Sequence, residues 1–277
     1  MSFSHTEAWL GALQDTILSG ARSEPRGMAT RELTWQELRV RDPLSFPLAV
    51  HGREFRDVIG VLEAVSLVGE FSVPELFTDR VKKFGDFMDH GVFWGSYGAR
   101  AHGAFGNIVE LLNRDPDSRQ AVLTLYDSRR DLNTAKKDIP CTIALQFLDR
   151  PHRDGPEAED SHRYLDMGVT MRSNDLWLGT PYDLTQFSIL QASLAQAIGS
   201  RVGQYVHRVG SLHIYERDIA KTAGLTFRGG PSMPFPLWGG GSFSAADIQS
   251  RARKLALEAV DPETEFERWA YGLLHHG

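Results

Sequence analysis

The sequence contains only one cysteine among its 277 residues, which rules out an intramolecular disulfide and makes a thiolate metal site implausible. It contains no apolar run that approaches the roughly 20 residues of a membrane-spanning helix. It also lacks a basic excess, because 36 acidic residues outnumber 30 lysines and arginines and give a net charge of −6. We therefore expect neither a nucleic acid nor a membrane as a partner, and an anionic substrate must meet a local cluster of arginines.

The first twenty residues lack the basic start and the apolar centre of a signal peptide, and they carry Glu7 and Asp15. We therefore expect a cytoplasmic protein. The 42% of apolar and 24% of charged residues are ordinary for a soluble globular chain. A chain of this length can bury most of its apolar surface in one core, which favours a single domain over residues 1–277.

Apolar periodicity predicts helices that alternate with strands. The expected helices span 6–19, 53–69, 103–113, 184–197 and 245–259, with Ser244 as the cap of the last and Ser72 as the cap of a further short helix. The expected strands are two short ones within 31–50, followed by 120–126, 142–147, 164–171 and 202–215. Residues 152–162 and 229–243 are expected to be loops. This pattern in one continuous core predicts an α+β fold.

Cys141 lies between Pro140 and a predicted strand. An isolated cysteine is most often a small buried hydrophobic residue. Here a turn and a strand can hold the thiol rigidly at a cleft, where a nearby cation or hydrogen-bond donor would favour the nucleophilic thiolate. Both interpretations remain open from this position alone.

Arg172 and Ser173 could bind an anion, because a guanidinium group matches phosphate geometry and a hydroxyl adds a donor. The alternative for Arg172 is a surface ion pair with Asp175, which is a common arrangement. His213 and Tyr215 are two residues apart on a predicted strand and therefore share a face. They could bind a sugar hydroxyl or form an ordinary buried pair.

Three segments together are more informative than any of these residues alone. They are PCTIALQF (140–147), RSNDLWLGTPYDL (172–184) and VHRVGSLHIY (206–215), and their order closely resembles the thymidylate synthase family. DPDSR (115–119) is also similar to that family's Asp-Pro-x-Ser-Arg-Arg. The resemblance is firm over about residues 107–218, weaker over 20–106 and absent beyond about 225. It implies a mixed β-sheet packed with helices, a homodimer, a pyrimidine nucleoside monophosphate as substrate and 5,10-methylenetetrahydrofolate as cofactor.

The resemblance also implies roles for single residues. Cys141 would attack C6 of the pyrimidine. The other implied roles are phosphate binding by Arg172, Ser173, Arg26 and, from the partner subunit, Arg119; sugar 3′-hydroxyl binding by His213 and Tyr215; folate binding by Asp175; and organisation of water and protons at the ring by Glu63. The spacing from Glu63 to Gly69 is one residue off the family pattern.

Asp183 occupies the position at which the family's dUMP enzymes carry asparagine. Uracil presents an N3–H donor and an O4 acceptor, which a carboxamide matches, whereas cytosine reverses both groups. An aspartate here resembles the family's dCMP and CMP hydroxymethylases. We therefore predict C5 hydroxymethylation of a cytidine monophosphate, dCMP or CMP, through a Cys141 adduct at C6. Arg119 and Ser173 are typical of members that take deoxynucleotides and favour dCMP.

In a hydroxymethylase, water rather than hydride adds to the exocyclic methylene. Thr142 replaces a common histidine, Ser211 replaces an aspartate, and the ending YGLLHHG (271–277) does not resemble the apolar tail that closes over folate. These changes all affect the access of water. Gln120 stands where a second phosphate arginine is usual. Two alternatives remain, a thymidylate synthase-type methylase of dUMP and a non-catalytic nucleotide-binding paralogue.

Overall fold

The computed structural model describes residues 4–132, 134–151, 162–239, 244–258 and 260–276. In these residues, helices and strands surround one hydrophobic cluster that extends from Trp9 to Leu274. The prediction of an α+β fold is confirmed. Of the two expected loops, 229–239 contain neither helix nor strand, whereas 152–161 and 240–243 lie outside the described residues.

The secondary-structure elements of the described residues have the following bounds. The helices are α1 (His5–Ser19), α2 (Asp57–Val68), α3 (Pro74–Thr78), α4 (Tyr97–Arg100), α5 (Ala104–Arg114), α6 (Ser128–Asp131), α7 (Thr180–Ala197), α8 (Glu216–Ile219), α9 (Ala245–Leu257) and α10 (Glu265–His276). The strands are β1 (Ala21–Ser23), β2 (Thr30–Val40), β3 (Val50–His51), β4 (Val122–Thr124), β5 (Thr142–Pro151), β6 (Arg163–Met171), β7 (Asn174–Asp175), β8 (Arg201–Tyr215) and β9 (Thr226–Phe227).

The main sheet has the spatial order β1-β2-β8-β6-β5-β4, and β7 also pairs with β8. Strand β8 is antiparallel to β2 and parallel to β6, so the sheet is mixed, as the resemblance implies. The register places Met171 opposite both Thr142 of β5 and Val209 of β8. The residues just before β5, just after β6 and within the last third of β8 therefore lie side by side.

Helix α7 is buried almost throughout, which explains why apolar residues occur on all its sides. It packs against β6, β8 and α2. Helices α2 and α7 approach closely at Gly60, where an added Cβ atom would lie 3.2 Å from Cβ of Thr185. This contact holds the part of α2 that carries Glu63 near the first turns of α7, which carry Asp183.

Most predicted elements are found, with shifts at their ends. Helix α2 begins at Asp57 rather than at 53, and α7 begins at Thr180 rather than at 184. The strand expected at 120–126 is reduced to β4. Ser244 caps α9 as predicted, since its hydroxyl accepts a hydrogen bond from the Asp247 amide at 3.2 Å.

The prediction of two short strands within 31–50 is confirmed only in part, because β2 precedes Pro43 and β3 follows Pro47, but β2 is long and β3 begins only at Val50. Strand β2 is one long strand, and it continues through an irregularity at Trp35, which has a φ of 55° and is skipped in the pairing with β8. Pro43 and Pro47 both follow the end of β2, so they do not interrupt it.

The expected cap at Ser72 is also wrong. Helix α3 begins at Pro74, follows Val73 and has no side-chain cap. Proline starts a helix readily because its fixed φ suits the first turn, which needs no amide donor. Helix α10 is absent from the predicted elements, and the YGLLHHG segment forms its end up to His276. No helix among the described residues is long and apolar enough to cross a bilayer.

Candidate active site

The thiol of Cys141 lies next to the guanidinium group of Arg172. The carbonyl of Cys141, just before β5, accepts a hydrogen bond from the Arg172 amide at 2.8 Å. The Arg172 side chain turns back along the same segment, where Nε donates to the carbonyl of Pro140 at 2.9 Å and Nη2 to that of Ile139 at 3.0 Å. Nη2 lies 3.7 Å from Sγ of Cys141. The fold thus brings two of the predicted site residues into contact.

Charged groups around Cys141 shift the pKa of its thiol in opposite directions. Burial raises the pKa of the Cys141 thiol, and Arg172 offsets part of this effect. Asp183 and Asp138 raise the pKa further, whereas Arg26 lowers it. The two arginines therefore favour the thiolate that a nucleophile needs, against burial and two carboxyl groups that favour the thiol.

Arg26 and Ser173 are two further predicted phosphate-binding residues near Cys141. Arg26 belongs to a 3₁₀ turn with a φ of 55°, and its exposed side chain acts electrostatically on the Cys141 thiol. Ser173 follows Arg172 directly and is half-buried. The backbone amide of Ser211 donates to the carbonyl of Arg172 at 3.1 Å, so β8 supports this loop. Three of the four predicted phosphate-binding residues are therefore grouped near Cys141.

Arg119, the fourth predicted phosphate residue, is exposed and remote from this group. Its carbonyl accepts a hydrogen bond at 3.0 Å from Nε2 of Gln146. Gln146 is five residues beyond Cys141 along β5, which corresponds to about 16 Å of strand. The side chain of Arg119 therefore does not reach the Cys141 site of its own chain, and its contribution across a dimer stays a prediction.

His213 and Tyr215 share a face of β8, as their spacing predicts. Their rings meet edge to face with centroids 5.4 Å apart. His213 is 9% exposed, and its Nδ1 lies 3.3 Å from the carbonyl of Ser211. Tyr215 is opposite Thr30 of β2, four residues beyond Arg26. The pair therefore lies close to the turn that carries Arg26.

Asp175 does not form the surface ion pair with Arg172 that was an alternative interpretation. Its Oδ1 accepts hydrogen bonds from the amides of Trp177 at 2.7 Å and Leu178 at 3.2 Å. Burial raises the pKa of Asp175, while these two hydrogen bonds and His213, its partner in the β7–β8 pairing, lower it. The second oxygen of Asp175 receives no hydrogen bond from the part of the chain that the structure describes.

Asp183 lies in the first turns of α7 and is 8% exposed. Asn174 Nδ2 donates to its Oδ2 at 2.6 Å, and Gln186 Nε2 donates to its Oδ1 at 2.7 Å. Burial raises the pKa of Asp183 to about 7, although both hydrogen bonds lower it. Near neutral pH this carboxyl group therefore exists in both its protonated and its ionised form.

Asn174 continues into a buried chain of hydrogen bonds. Its Oδ1 accepts a hydrogen bond from Thr180 Oγ1 at 2.7 Å and lies 3.0 Å from Nε2 of His207. The other ring nitrogen of His207, Nδ1, lies 2.7 Å from the hydroxyl of Tyr205. Burial lowers the pKa of His207 to about 3, so its imidazole is neutral at physiological pH. The chain thus links β8 through Asn174 to Asp183.

Glu63, the doubtful glutamate of the family pattern, does lie near Asp183. Burial raises the pKa of Glu63 well above its usual range, and Asp183 and Asp138 raise it further. No hydrogen bond joins its carboxyl group to another described residue. Glu63 therefore lies near the other predicted site residues, although its spacing to Gly69 differs by one residue from the family pattern.

Tyr97, at the start of α4, was not among the predicted site residues. Its hydroxyl accepts hydrogen bonds from the amide of Thr142 at 3.1 Å and from Oγ1 of Thr142 at 2.9 Å. Burial raises the pKa of Tyr97 well above its usual range, and Cys141 and Asp183 add to this effect. Thr142, which replaces a common histidine, therefore has a structural role of its own, because it holds the Tyr97 hydroxyl beside Cys141.

Sequence reasoning also did not identify the partners of Asp183. Gln186 could have been found, because it follows Asp183 by three residues and therefore shares its helix face. Asn174 and His207 lie inside the two matched segments, but their contact with each other depends on the pairing of β7 with β8. No local signal indicated the position of Tyr97.

Comparison with known proteins identifies the family of the chain. Residues 69–236, more than half of the chain, match the family model described as thymidylate synthase. A deoxyuridylate hydroxymethyltransferase of Bacillus phage SP01 is 29% identical over 231 residues, which are 77% of this chain and 57% of the relative. A protein of the same name from Pseudomonas phage M6 is 34% identical over 155 residues, 54% of this chain and 41% of the relative. The chain therefore spans about half the length of these relatives.

Proposed function

Since the chain belongs to the thymidylate synthase family, we propose that it is a pyrimidine nucleoside monophosphate hydroxymethyltransferase that uses 5,10-methylenetetrahydrofolate. Two relatives carry the name deoxyuridylate hydroxymethyltransferase, which favours a hydroxymethyl over a methyl product. The observation that carries the substrate proposal is Asp183, a buried carboxyl group at the base-reading position.

Cys141 is the proposed nucleophile. Its thiolate adds to C6 of the pyrimidine, which makes C5 nucleophilic, and the thiolate leaves again after the proton at C5 has been replaced. Arg172 supports this role because its guanidinium group lies 3.7 Å from the sulfur and lowers the pKa of the thiol. Binding of a dianionic phosphate nearby would draw Arg172 away from the carbonyl groups that hold it.

The phosphate and the sugar have their own proposed partners. Arg26, Arg172 and Ser173 provide two guanidinium groups and a hydroxyl for the phosphate. Arg119 would add a third guanidinium group from the second subunit of a homodimer. His213 and Tyr215 would hydrogen-bond the sugar 3′-hydroxyl.

We propose cytosine as the base. When Cys141 adds to C6, electron density moves toward N3 of cytosine, and a proton donated to N3 stabilises the product of that addition. Asp183 can donate this proton and accept a hydrogen bond from the N4 amine. Its pKa of about 7 suits an acid that acts near neutral pH. Asp183 would then be a catalytic residue as well as a specificity residue.

Uracil is the second candidate base, and the names of both relatives favour it. A protonated Asp183 can also donate to O4 and accept from N3–H, because its proton can occupy either carboxyl oxygen. In this case the hydroxymethyl product would be that of dUMP.

Water must reach the activated methylene group at C5 in either case. Glu63 and Tyr97 are the proposed groups that orient this water, because both act electrostatically with Asp183. With its raised pKa, Glu63 can hold a proton and exchange it with water. Thr142 fixes the Tyr97 hydroxyl through its two hydrogen bonds.

The residues near Asp175 fit a reduced folate. A pterin ring presents N–H donors and a flat apolar face, and the second oxygen of Asp175 can accept from such a donor. Leu178, whose side chain is 54% exposed, provides apolar surface next to Asp175. When bound, 5,10-methylenetetrahydrofolate supplies the one-carbon unit at the oxidation level of formaldehyde.

One experiment tests the proposal. The protein is incubated with 5,10-methylenetetrahydrofolate and each of dCMP, CMP, dUMP and UMP in turn. The nucleotide and folate products are then identified by mass spectrometry. We expect a hydroxymethyl nucleotide together with tetrahydrofolate, and more product from dCMP than from dUMP. A methyl nucleotide with dihydrofolate would instead identify thymidylate synthase chemistry. No product and no release of tritium from C5 would identify a non-catalytic paralogue.

A further inference from the structure

Both oxygens of Asp183 are held from within the protein by hydrogen-bond donors. The amide groups of Asn174 and Gln186 approach Oδ2 and Oδ1 at 2.6 and 2.7 Å, and we call these two residues the Asp183 clamp. Asn174 is 4% exposed and Gln186 is 2% exposed. Each donor is therefore shielded from water and depends on Asp183 for its hydrogen bond.

The Asn174 amide also contacts Thr180 and His207. Its Oδ1 already accepts from the hydroxyl of Thr180 and faces Nε2 of His207. A neutral His207 that donates from Nε2 accepts at Nδ1, where the Tyr205 hydroxyl can donate to it. With this tautomer Oδ1 of Asn174 accepts from both neighbours, and its Nδ2 donates to Oδ2 of Asp183 at 2.6 Å.

A proton on Asp183 is therefore favoured on the side of the carboxyl group that faces away from Asn174 and Gln186. On the inner side of the carboxyl group, each oxygen already meets an N–H, and a proton directed there would oppose a donor. The remaining lone pairs face away from Asn174 and Gln186. The clamp thus leaves the acidic proton the side of the carboxyl group that faces away from Asn174 and Gln186, which is the side on which the proposed function places the base.

We infer that Asn174 and Gln186 are positioning residues that direct the Asp183 proton to the pyrimidine, with Tyr205 and His207 fixing the amide of Asn174. This inference rests on the proposed function, because it assigns the clamp to the base-reading carboxyl group of that reaction. The two clamp residues do not need to touch the substrate. They act through Asp183, and their effect should be larger for cytosine, which takes the Asp183 proton at N3, than for uracil, which only accepts a hydrogen bond at O4.

Two substitutions test the clamp. Asn174→Asp replaces the donor with an acceptor of the same shape, which can hold the Asp183 proton on the inner side. Gln186→Met removes the second donor while keeping its length. We expect each to lower kcat for dCMP by about tenfold or more, the effect of losing one buried hydrogen bond. KM should change less, and the ratio of kcat/KM for dCMP to that for dUMP should fall about tenfold.

Gln191→Met is the matched control. Gln191 is buried on the same helix, and its Nε2 donates to the carbonyl of Leu165 at 2.7 Å rather than to Asp183. Gln191→Met should lower thermal stability about as much as Gln186→Met but leave the dCMP to dUMP ratio unchanged. A selectivity loss in Gln191→Met equal to that in Gln186→Met would overturn the clamp, because it would indicate a general effect of disturbing α7.

Further readouts keep the inference separate from the proposed function. If Asn174→Asp does not fold, Gln186→Met and Tyr205→Phe decide the question through the same ratio. If the wild type forms product and neither clamp variant changes kcat or the ratio, the clamp is wrong and the proposed function stands. If the wild type forms no product from any nucleotide, the proposed function fails. The clamp is then tested by calorimetric binding of dCMP and dUMP, and an unchanged affinity ratio in the variants would overturn it as well.

Discussion

Asp183 and Arg172 lie at two ends of one site and are held in different ways. The carboxyl group of Asp183 is buried and meets two side-chain donors that are themselves fixed by a network. The guanidinium group of Arg172 is exposed and meets the backbone carbonyls of Ile139 and Pro140 and the sulfur of Cys141. The end that we propose to read the base is therefore organised in the absence of substrate, whereas Arg172, at the proposed phosphate end, would have to change partners when it binds an anion.

This difference follows from what each end must do. A base is read by hydrogen-bond polarity, and a wrong donor or acceptor leaves buried groups unpaired at a cost of about 1–3 kcal/mol each. Rigid placement makes that penalty effective. A phosphate is bound by charge, which tolerates more movement, and Arg119 is too far away to contribute within its own chain. We therefore expect substitutions at the base end to change selectivity and substitutions at the phosphate end to change affinity.

The largest loss of activity is expected from substitution of Cys141, whose thiol is influenced by both Arg172 and Asp183. Cys141→Ala should reduce turnover by about 10⁴-fold or more, because the covalent step has no substitute in the site. Binding of dCMP, measured by calorimetry, should remain close to that of the wild type, because neither the base nor the phosphate contacts involve the sulfur. Appreciable hydroxymethyl product from Cys141→Ala would show that the thiol is not the nucleophile.

A smaller but specific effect is expected when Arg119→Ala and Cys141→Ala subunits are mixed. In a dimer that shares Arg119, each hybrid contains one site with both residues intact. Random exchange should therefore restore about a quarter of wild-type activity, since half of the dimers are hybrids and one of their two sites works. Subunit exchange is verified by native mass spectrometry. Complete exchange without any recovery would contradict a phosphate end that spans two chains.

The smallest effect is expected on stability, at the base end. The pKa of Asp183 rises from its ordinary value of 3.8 to about 7 in the folded protein. The unfolded state therefore loses this proton at lower pH, and the folded state loses stability as pH rises from about 4 to 7. Asn does not titrate, so the free energy of unfolding of Asp183→Asn lacks this pH dependence. The difference in free energy of unfolding, variant minus wild type, should therefore increase by about 2–3 kcal/mol between pH 5 and pH 8. Urea unfolding at both pH values measures this change, and a constant difference would mean that Asp183 is not perturbed.

The sequence was sufficient to predict the elements that have strong periodicity and the residues that lie within continuous motifs. Helices α1, α5 and α9 and strands β5, β6 and β8 follow from apolar spacing alone. Helix α10 could have been predicted from Phe266, Ala270 and Leu274, which are buried at four-residue spacing, but the segment was interpreted only as a divergent tail.

The part of the site that could not be predicted consists of contacts between distant segments. Tyr97 meets Thr142 across 45 positions, and His207 meets Asn174 across 33. Such contacts depend on strand register and helix packing, which have no local sequence signal. The proposed base-reading role of Asp183 came from its place in a motif, whereas the proposed clamp of Asn174 and Gln186 required the fold.

The most direct test of this account is the ratio of kcat/KM for dCMP to that for dUMP in wild type and in Asp183→Asn. A carboxamide can donate to O4 and accept from N3–H, so the variant should favour uracil more than the wild type does, by a factor of about 10². The account predicts a wild-type ratio above one that falls in Asp183→Asn while the hydroxymethyl product is retained. A ratio that is the same in both proteins, or a wild-type preference for dUMP, would contradict the proposal that Asp183 selects cytosine.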